Sequence, residues 1–194
     1  MNKTVFIIAS PLETNNATKI LGSTIIYSGV GKINASIAAM KAYALGYTTI
    51  INIGSCGSSN HPTGEIIEIG KAYQDIDLTP LTTYGHTLFE SNTYEIELQT
   101  LIPGGYGYSS TNKTCFTTDY FYNANQRDKY SNEYLNMIDS VDAIDMECYA
   151  IAKVCNQFNI NFKSIKWVSD NGDASNWELN CKISLDKVKN YLDL

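Results

Sequence analysis

Short apolar runs, each closed by small or polar residues, recur along the chain and read as strands. Residues 5–9 and 23–28 are the first two, and the second ends in Gly29-Val30-Gly31. Residues 32–45 follow as a helix, with Ile33, Ile37, Ala38 and Ala44 broadly on one face and Gly46 as its stop. Residues 48–53 form another strand, running into the small-residue loop Gly54-Ser55-Cys56-Gly57. Strand, helix and strand at this spacing make a βαβ unit with a parallel pair and a right-handed crossover.

Further along, residues 65–69, 71–75, 114–118, 143–146 and 162–168 also read as strands. Cys148, Ile151, Ala152, Cys155 and Phe158 repeat at helical spacing after residue 147. Residues 169–176 read as a loop and 185–191 as a closing helix. The polar tract 125–136 fits either a surface helix or a loop. Residues 80–112 show no clear period; Thr, Tyr and Gly abound there, and Pro103-Gly104-Gly105 marks a turn.

Length and charge narrow the function. The 194 residues are expected to form one domain spanning 1–194, large enough to bury roughly 70% of its unfolded surface. The net charge is −6 and Arg127 is the sole arginine, so no basic face for nucleic acid is expected. Five cysteines (Cys56, Cys115, Cys148, Cys155, Cys181) lack CxxC or Cys/His spacing. Buried thiols in a reducing compartment are expected, with neither disulfides nor a metal. The apolar start is too short for a signal peptide, since Pro11-Leu12-Glu13 follows at once, and no segment approaches a membrane span. A cytoplasmic protein is the expectation.

The chemistry gathers where strands stop. Glu13, Gly29 to Gly31, Ser55, Glu147 and Asp170 all fall there, and open α/β sheets bind small molecules at that edge. Each carboxylate taken singly also suits a helix N-cap or a solvated loop. Glu147 suits those least, because Met146, Cys148 and Ala150 around it read as buried, and a buried carboxylate needs partners. Gly29-Val30-Gly31-Lys32 is not a P-loop: Ile26 and Ile33 stand where the first glycine and the hydroxyl would be. That loop instead permits close backbone approach to a ligand, or tight helix–strand packing. His61 and His86 read as isolated loop histidines. Tyr120-Phe121-Tyr122 offers aromatic faces suited either to core packing or to a purine ring.

These motifs together resemble the nucleoside phosphorylase/nucleosidase superfamily, and within it the 5′-methylthioadenosine/S-adenosylhomocysteine nucleosidases. The resemblance rests on Asp145-Met146-Glu147 through Val168-Ser169-Asp170, with Ala150-Ile151-Ala152, Val154-Cys155 and Phe158-Asn159 between. Gly29-Val30-Gly31-Lys32, Asn52-Ile53-Gly54-Ser55 and Asp75-Ile76-Asp77-Leu78-Thr79 are similar to its other landmarks. It implies a three-layer α/β/α fold with a central mixed, largely parallel twisted sheet. It also implies no cofactor, a small-molecule nucleoside as ligand, and a homodimer or higher homo-oligomer in which a neighbouring subunit completes the pocket.

Carried over by position, Glu147 would hold the ribose hydroxyls, with Met146 beneath the sugar. Asp170 would protonate N7 of the purine, relieving negative charge on the leaving base. Phe121 and Tyr122 would stack on and hydrogen-bond the base, and Ser55 and Lys166 would orient the nucleophile. Gly54 and Ser169 are further substrate-binding candidates. The family's water-activating glutamate aligns with Thr14, and Glu13 takes the role after a one-residue shift.

Hydrolysis is expected over phosphorolysis. Phosphorylases of the superfamily grip phosphate with arginines, whose fork matches its oxygens, whereas Asn52 stands at one such position here and Arg127 lies outside the motifs. Asp170, rather than asparagine, favours adenine over oxo bases. The expected activity is release of adenine from 5′-methylthioadenosine, S-adenosylhomocysteine or adenosine. Two readings stay open beside it: a phosphorylase using lysines such as Lys32 and Lys166, and a nucleoside-binding module without efficient catalysis.

Overall fold

A computed structural model describes residues 3–75, 93–97, 99–102, 105–108, 111–182 and 185–192. Its centre is β1 (Thr4–Ile8), flanked in parallel by β3 (Ser23–Tyr27) and β4 (Thr49–Gly57). The short β2 (Lys19–Ile20) pairs antiparallel with β3 at the edge. On its other side β4 runs parallel to β12 (Asn161–Asp170), which in turn takes β5 (Ile66–Ile69) antiparallel. A second parallel group, β6 (Lys71–Asp75), β10 (Thr114–Thr117) and β11 (Ala143–Asp145), joins β4 through one antiparallel bridge between Ile144 and Gly57. Then β7 (Thr93–Glu97) lies antiparallel to β6, while β8 (Gln99–Ile102) and β9 (Gly105–Tyr108) make a separate antiparallel pair. The sheet is mixed and largely parallel, as expected.

Alternation along the strands sends side chains into two cores. Val5, Ile7 and Ile50 pack on one face; Phe6, Ile8, Ile51 and Ile53 pack on the other. The first face is covered by α1 (Lys32–Ala44) and α3 (Cys148–Gln157), the second by α2 (Asn132–Ser140) and α5 (Leu185–Leu192), giving three layers. The short α4 (Ala174–Asn180) packs beside β12.

Three readings of the pattern are corrected. Ile33 and Ile37 do not face the core: they are 78% and 62% exposed, while Ala35, Ala38, Ala39 and Ala42 are buried. Alanines let α1 lie close to the sheet and to α3, where β-branched side chains would hold it off. Gly54-Ser55-Cys56-Gly57 is not a loop but the end of β4, because β12 supplies backbone partners through Gly57. Residues 169–176 likewise divide between the end of β12 and the start of α4. In the polar tract, a 3-10 turn at Ala124–Lys129 precedes α2.

His61 is not isolated. Its ring nitrogens lie 3.0 Å from Glu65 and 2.8 Å from Asp142, beside Lys113, where β10 and β11 begin. His86, residues 76–79 and the Pro103-Gly104 step lie outside the described residues. All five cysteines are buried free thiols. Among the described residues no helix is long and apolar enough to cross a membrane.

Candidate active site

At the carboxyl edge of the parallel strands lies a cleft of about 280 Å³, lined by Glu13, Ser55, Tyr120, Phe121, Tyr122, Met146, Glu147, Ser169 and Asp170. Ala9, Val30, Cys56, Ile144 and Trp177 complete its apolar walls. Apolar walls with a few converging polar groups are the usual make-up of a small-molecule site.

Glu13 enters from a 3-10 turn, Pro11–Thr14, that follows β1. Proline at the first position and the Ser10 hydroxyl, which accepts from the Leu12 amide at 3.2 Å, start the turn. The Glu13 carboxylate accepts from the Ser10 amide (3.1 Å), the Ser55 amide (2.8 Å) and the Ser55 hydroxyl (2.7 Å). Thr14 faces elsewhere, sharing a hydrogen bond with the Tyr27 hydroxyl. Burial pushes the Glu13 carboxyl above its ordinary range, against the pull of these donors and of Lys166.

A buried ion pair runs back from the wall, with Asp145 at the cleft and Lys166 behind it. Lys166 on β12 is fully enclosed, with its Nζ 2.6 Å from Asp145 Oδ2 at the end of β11. The Thr117 hydroxyl (2.7 Å) and the Cys148 amide (2.8 Å) also donate to Asp145, which thereby caps α3. Burial pushes the Asp145 carboxyl up, but the Lys166 ammonium and these donors outweigh it and hold it down. Gly54 lets the ammonium pass, since a Cβ there would lie 3.3 Å from Lys166 Nζ and 3.6 Å from Glu13 Oε1. Neither Gly54 nor Lys166 reaches the cleft wall; both stand one layer behind it.

Glu147 occupies the N-cap position of α3 without capping it. Its Oε1 instead accepts from the Gly31 amide at 2.8 Å, so the glycine loop after β3 holds a carboxylate of the protein itself. Gly31 has φ +99, which glycine adopts without strain. Burial, with the nearby Asp145 charge, pushes Glu147 up to about 7.

Asp170 ends β12. Its Oδ1 accepts from the Gly172 amide (2.8 Å), and its Oδ2 lies 2.7 Å from the Ser169 hydroxyl. That hydroxyl is also 3.1 Å from the Cys56 carbonyl. It can therefore donate to the carbonyl while accepting from a protonated Asp170, so Ser169 suits either form of the acid. Burial pushes the Asp170 carboxyl up.

The aromatic wall is braced from outside. Arg127 grips Asp139 through two nitrogens (2.9 and 2.6 Å) and donates to the Tyr122 hydroxyl at 2.8 Å. The sole arginine thus holds the wall. Gly172, at φ +91, lies flat against Tyr122: a Cβ there would come within 2.6 Å of its ring.

Asp145 and Trp177 were not singled out by sequence. Asp145 carried a signal, standing two residues before Glu147 in the matching motif; Trp177 carried none. Cys115, Asp145 and Cys148 form a cluster whose ligand atoms lie within 4.8 Å of one another. There the Lys166 ammonium already serves as the cation for Asp145.

The sequence profile of the phosphorylase superfamily matches residues 19–193, and the chain belongs to that superfamily. It is 33% identical over 193 residues to a 5′-methylthioadenosine/S-adenosylhomocysteine nucleosidase of Buchnera aphidicola, covering 87% of this chain and 75% of that protein. The fold is similar to a Helicobacter pylori nucleosidase of the same description holding 5′-methylthioadenosine, with a TM-score of 0.71 at 17% identity, over 100% of this chain and 99% of the other. It is equally similar to futalosine hydrolase of Helicobacter pylori: TM-score 0.71, 17% identity, 99% and 96% covered.

Proposed function

We propose that the chain hydrolyses the N-glycosidic bond of a purine nucleoside, releasing adenine from 5′-methylthioadenosine, S-adenosylhomocysteine or adenosine. Its likeness to the Buchnera nucleosidase supports the reaction and the base. One observation carries the choice of water as nucleophile. Both donors of Ser55, amide and hydroxyl, are spent on Glu13, so a carboxylate already fills the place where an oxyanion would dock. A phosphate dianion beside that carboxylate would meet repulsion instead of a donor pair.

The steps follow from the groups at hand. Glu13 takes a proton from water as its oxygen attacks C1′. The C–N bond breaks, its electrons pass to the base, and Asp170 delivers a proton to N7. Glu147 accepts two hydrogen bonds from the vicinal hydroxyls, Met146 packs beneath the sugar, and Phe121 and Tyr122 receive the base. Negative charge on Glu13 and Glu147 favours the cationic character developing on the sugar.

Base release should proceed equally with and without phosphate, followed by chromatography on 5′-methylthioadenosine, S-adenosylhomocysteine, adenosine and inosine. Turnover only with phosphate would make the chain a phosphorylase. Binding without any release would make it a binding module.

We further infer a homo-oligomer. Val30, Ile33 and Ile37, 51%, 78% and 62% exposed, form an apolar stripe running from the cleft wall along α1. Equilibrium sedimentation as a monomer at micromolar concentration would remove this inference. The five buried thiols fit a cytoplasmic setting.

A further inference from the structure

Beside Glu13 the cleft holds a hydrogen-bond chain that starts on a residue with no assigned part in the reaction. Trp177, half-buried on α4, donates its indole N–H to Ser55 Oγ at 3.0 Å. Ser55 Oγ in turn lies 2.7 Å from Glu13 Oε1. The directions in this chain are fixed by chemistry. An indole N–H can only donate, and a serine hydroxyl has one proton. With one of its two lone pairs engaged by Trp177, the Ser55 hydroxyl turns its proton to the ionised Glu13 carboxylate, which can only accept.

We propose that Trp177 is a positioning residue for hydrolysis, which locks the Ser55 hydroxyl as a donor to Glu13 and so keeps the water-activating carboxylate ionised and aimed. The proposal rests on Glu13 being the base. Donors are what that carboxylate needs, because it has been stripped of solvent. The titratable groups around it are Lys166 from β12, Glu147 ahead of α3, and Cys181 after α4. Lys166 is the one cation among them, and its nearest partner is Asp145. Fixed neutral donors therefore carry much of the task of holding Glu13 in its working form. The indole also forms part of the cleft wall, so its ring screens the Ser55–Glu13 pair from bulk water.

Trp177→Phe keeps a ring and removes the N–H. The expected result is a fall in kcat of about tenfold, the effect of loosening one hydrogen bond in the transition state. KM should stay within about twofold. The acid limb of the kcat–pH profile should move to higher pH, because a less supported carboxylate is protonated more readily. In a Ser55→Ala background the same substitution should cost nothing further, since Trp177 acts through Ser55.

An unchanged acid limb, a loss confined to KM, or full costs in both backgrounds would each overturn the proposal and leave Trp177 a wall residue. Glu13→Gln, measured alongside, separates the two readings. Retained turnover there removes the base itself; lost turnover there with an unaltered Trp177→Phe profile removes only the part given to Trp177. Should Trp177→Phe fail to fold, the ¹⁵N-labelled indole resonance of Trp177 in the unaltered chain decides. It should shift on Ser55→Ala, and an unmoved resonance would overturn the contact.

Discussion

Asp170→Asn should lower kcat for base release by about 10²–10⁴-fold, the usual contribution of a positioned acid, while nucleoside binding changes little. The substitution is a clean probe because the site accepts it. The asparagine carbonyl can take the Gly172 amide, its NH₂ can donate to Ser169, and Ser169 still has the Cys56 carbonyl to donate to. Packing is kept and only the transferable proton is lost. Single-turnover base release, with ligand binding measured by titration, checks both halves. Binding lost together with turnover would show that Asp170 holds substrate in place of protonating it.

The same group sets the basic side of the pH profile. Burial raises the Asp170 pKa, so the proton is present below that raised value and turnover falls as pH climbs through it. Glu147 works the other way. Pushed up to about 7, it accepts from both sugar hydroxyls only when ionised, because protonation turns one of its oxygens into a donor, so kcat/KM should fall as pH drops through about 7.

The second large effect is expected at Glu13. Glu13→Gln should cost about 10²–10⁴-fold in kcat and abolish the acid limb of the kcat–pH profile, because the amide cannot take a proton from water. Its carbonyl can still accept from the Ser55 amide and hydroxyl, so the local hydrogen bonds survive in large part. Thr14→Val offers the contrast. Its hydroxyl serves Tyr27, away from the cleft, and its loss should leave the acid limb in place. An intact limb in Glu13→Gln would require another base. Loss of the limb in Thr14→Val would show that the placement of Glu13 depends on the Thr14–Tyr27 contact, since a threonine hydroxyl does not titrate in that range.

Much of this molecule is written locally. Residues 5–8 alternate between two cores, yet every one is apolar; so short a run, rich in β-branched residues, suits a strand covered on both faces. The Asp145-Met146-Glu147 and Ser169-Asp170 motifs sit at strand ends because short apolar runs precede them, and strand ends are where ligands reach an open sheet. The buried face of α1 differs from the periodic one for an equally physical reason. Isoleucines and alanines there are both apolar, so periodicity does not distinguish the buried face from the exposed one; only the closeness of α3 and the sheet selects the alanines.

The alternation of strands and helices, the family motifs, and which carboxylates stand where strands end are all legible along the chain, because these depend on neighbours a few residues apart. Tertiary structure alone decided that Glu13 and not Thr14 turns into the cleft, since that follows from Ser55, 42 residues away, offering two donors. It alone placed Lys166 behind the wall on Asp145 and set the Trp177 indole on Ser55, 122 residues distant. A buried polar group takes whichever partner the fold brings within reach, and no local pattern encodes that choice.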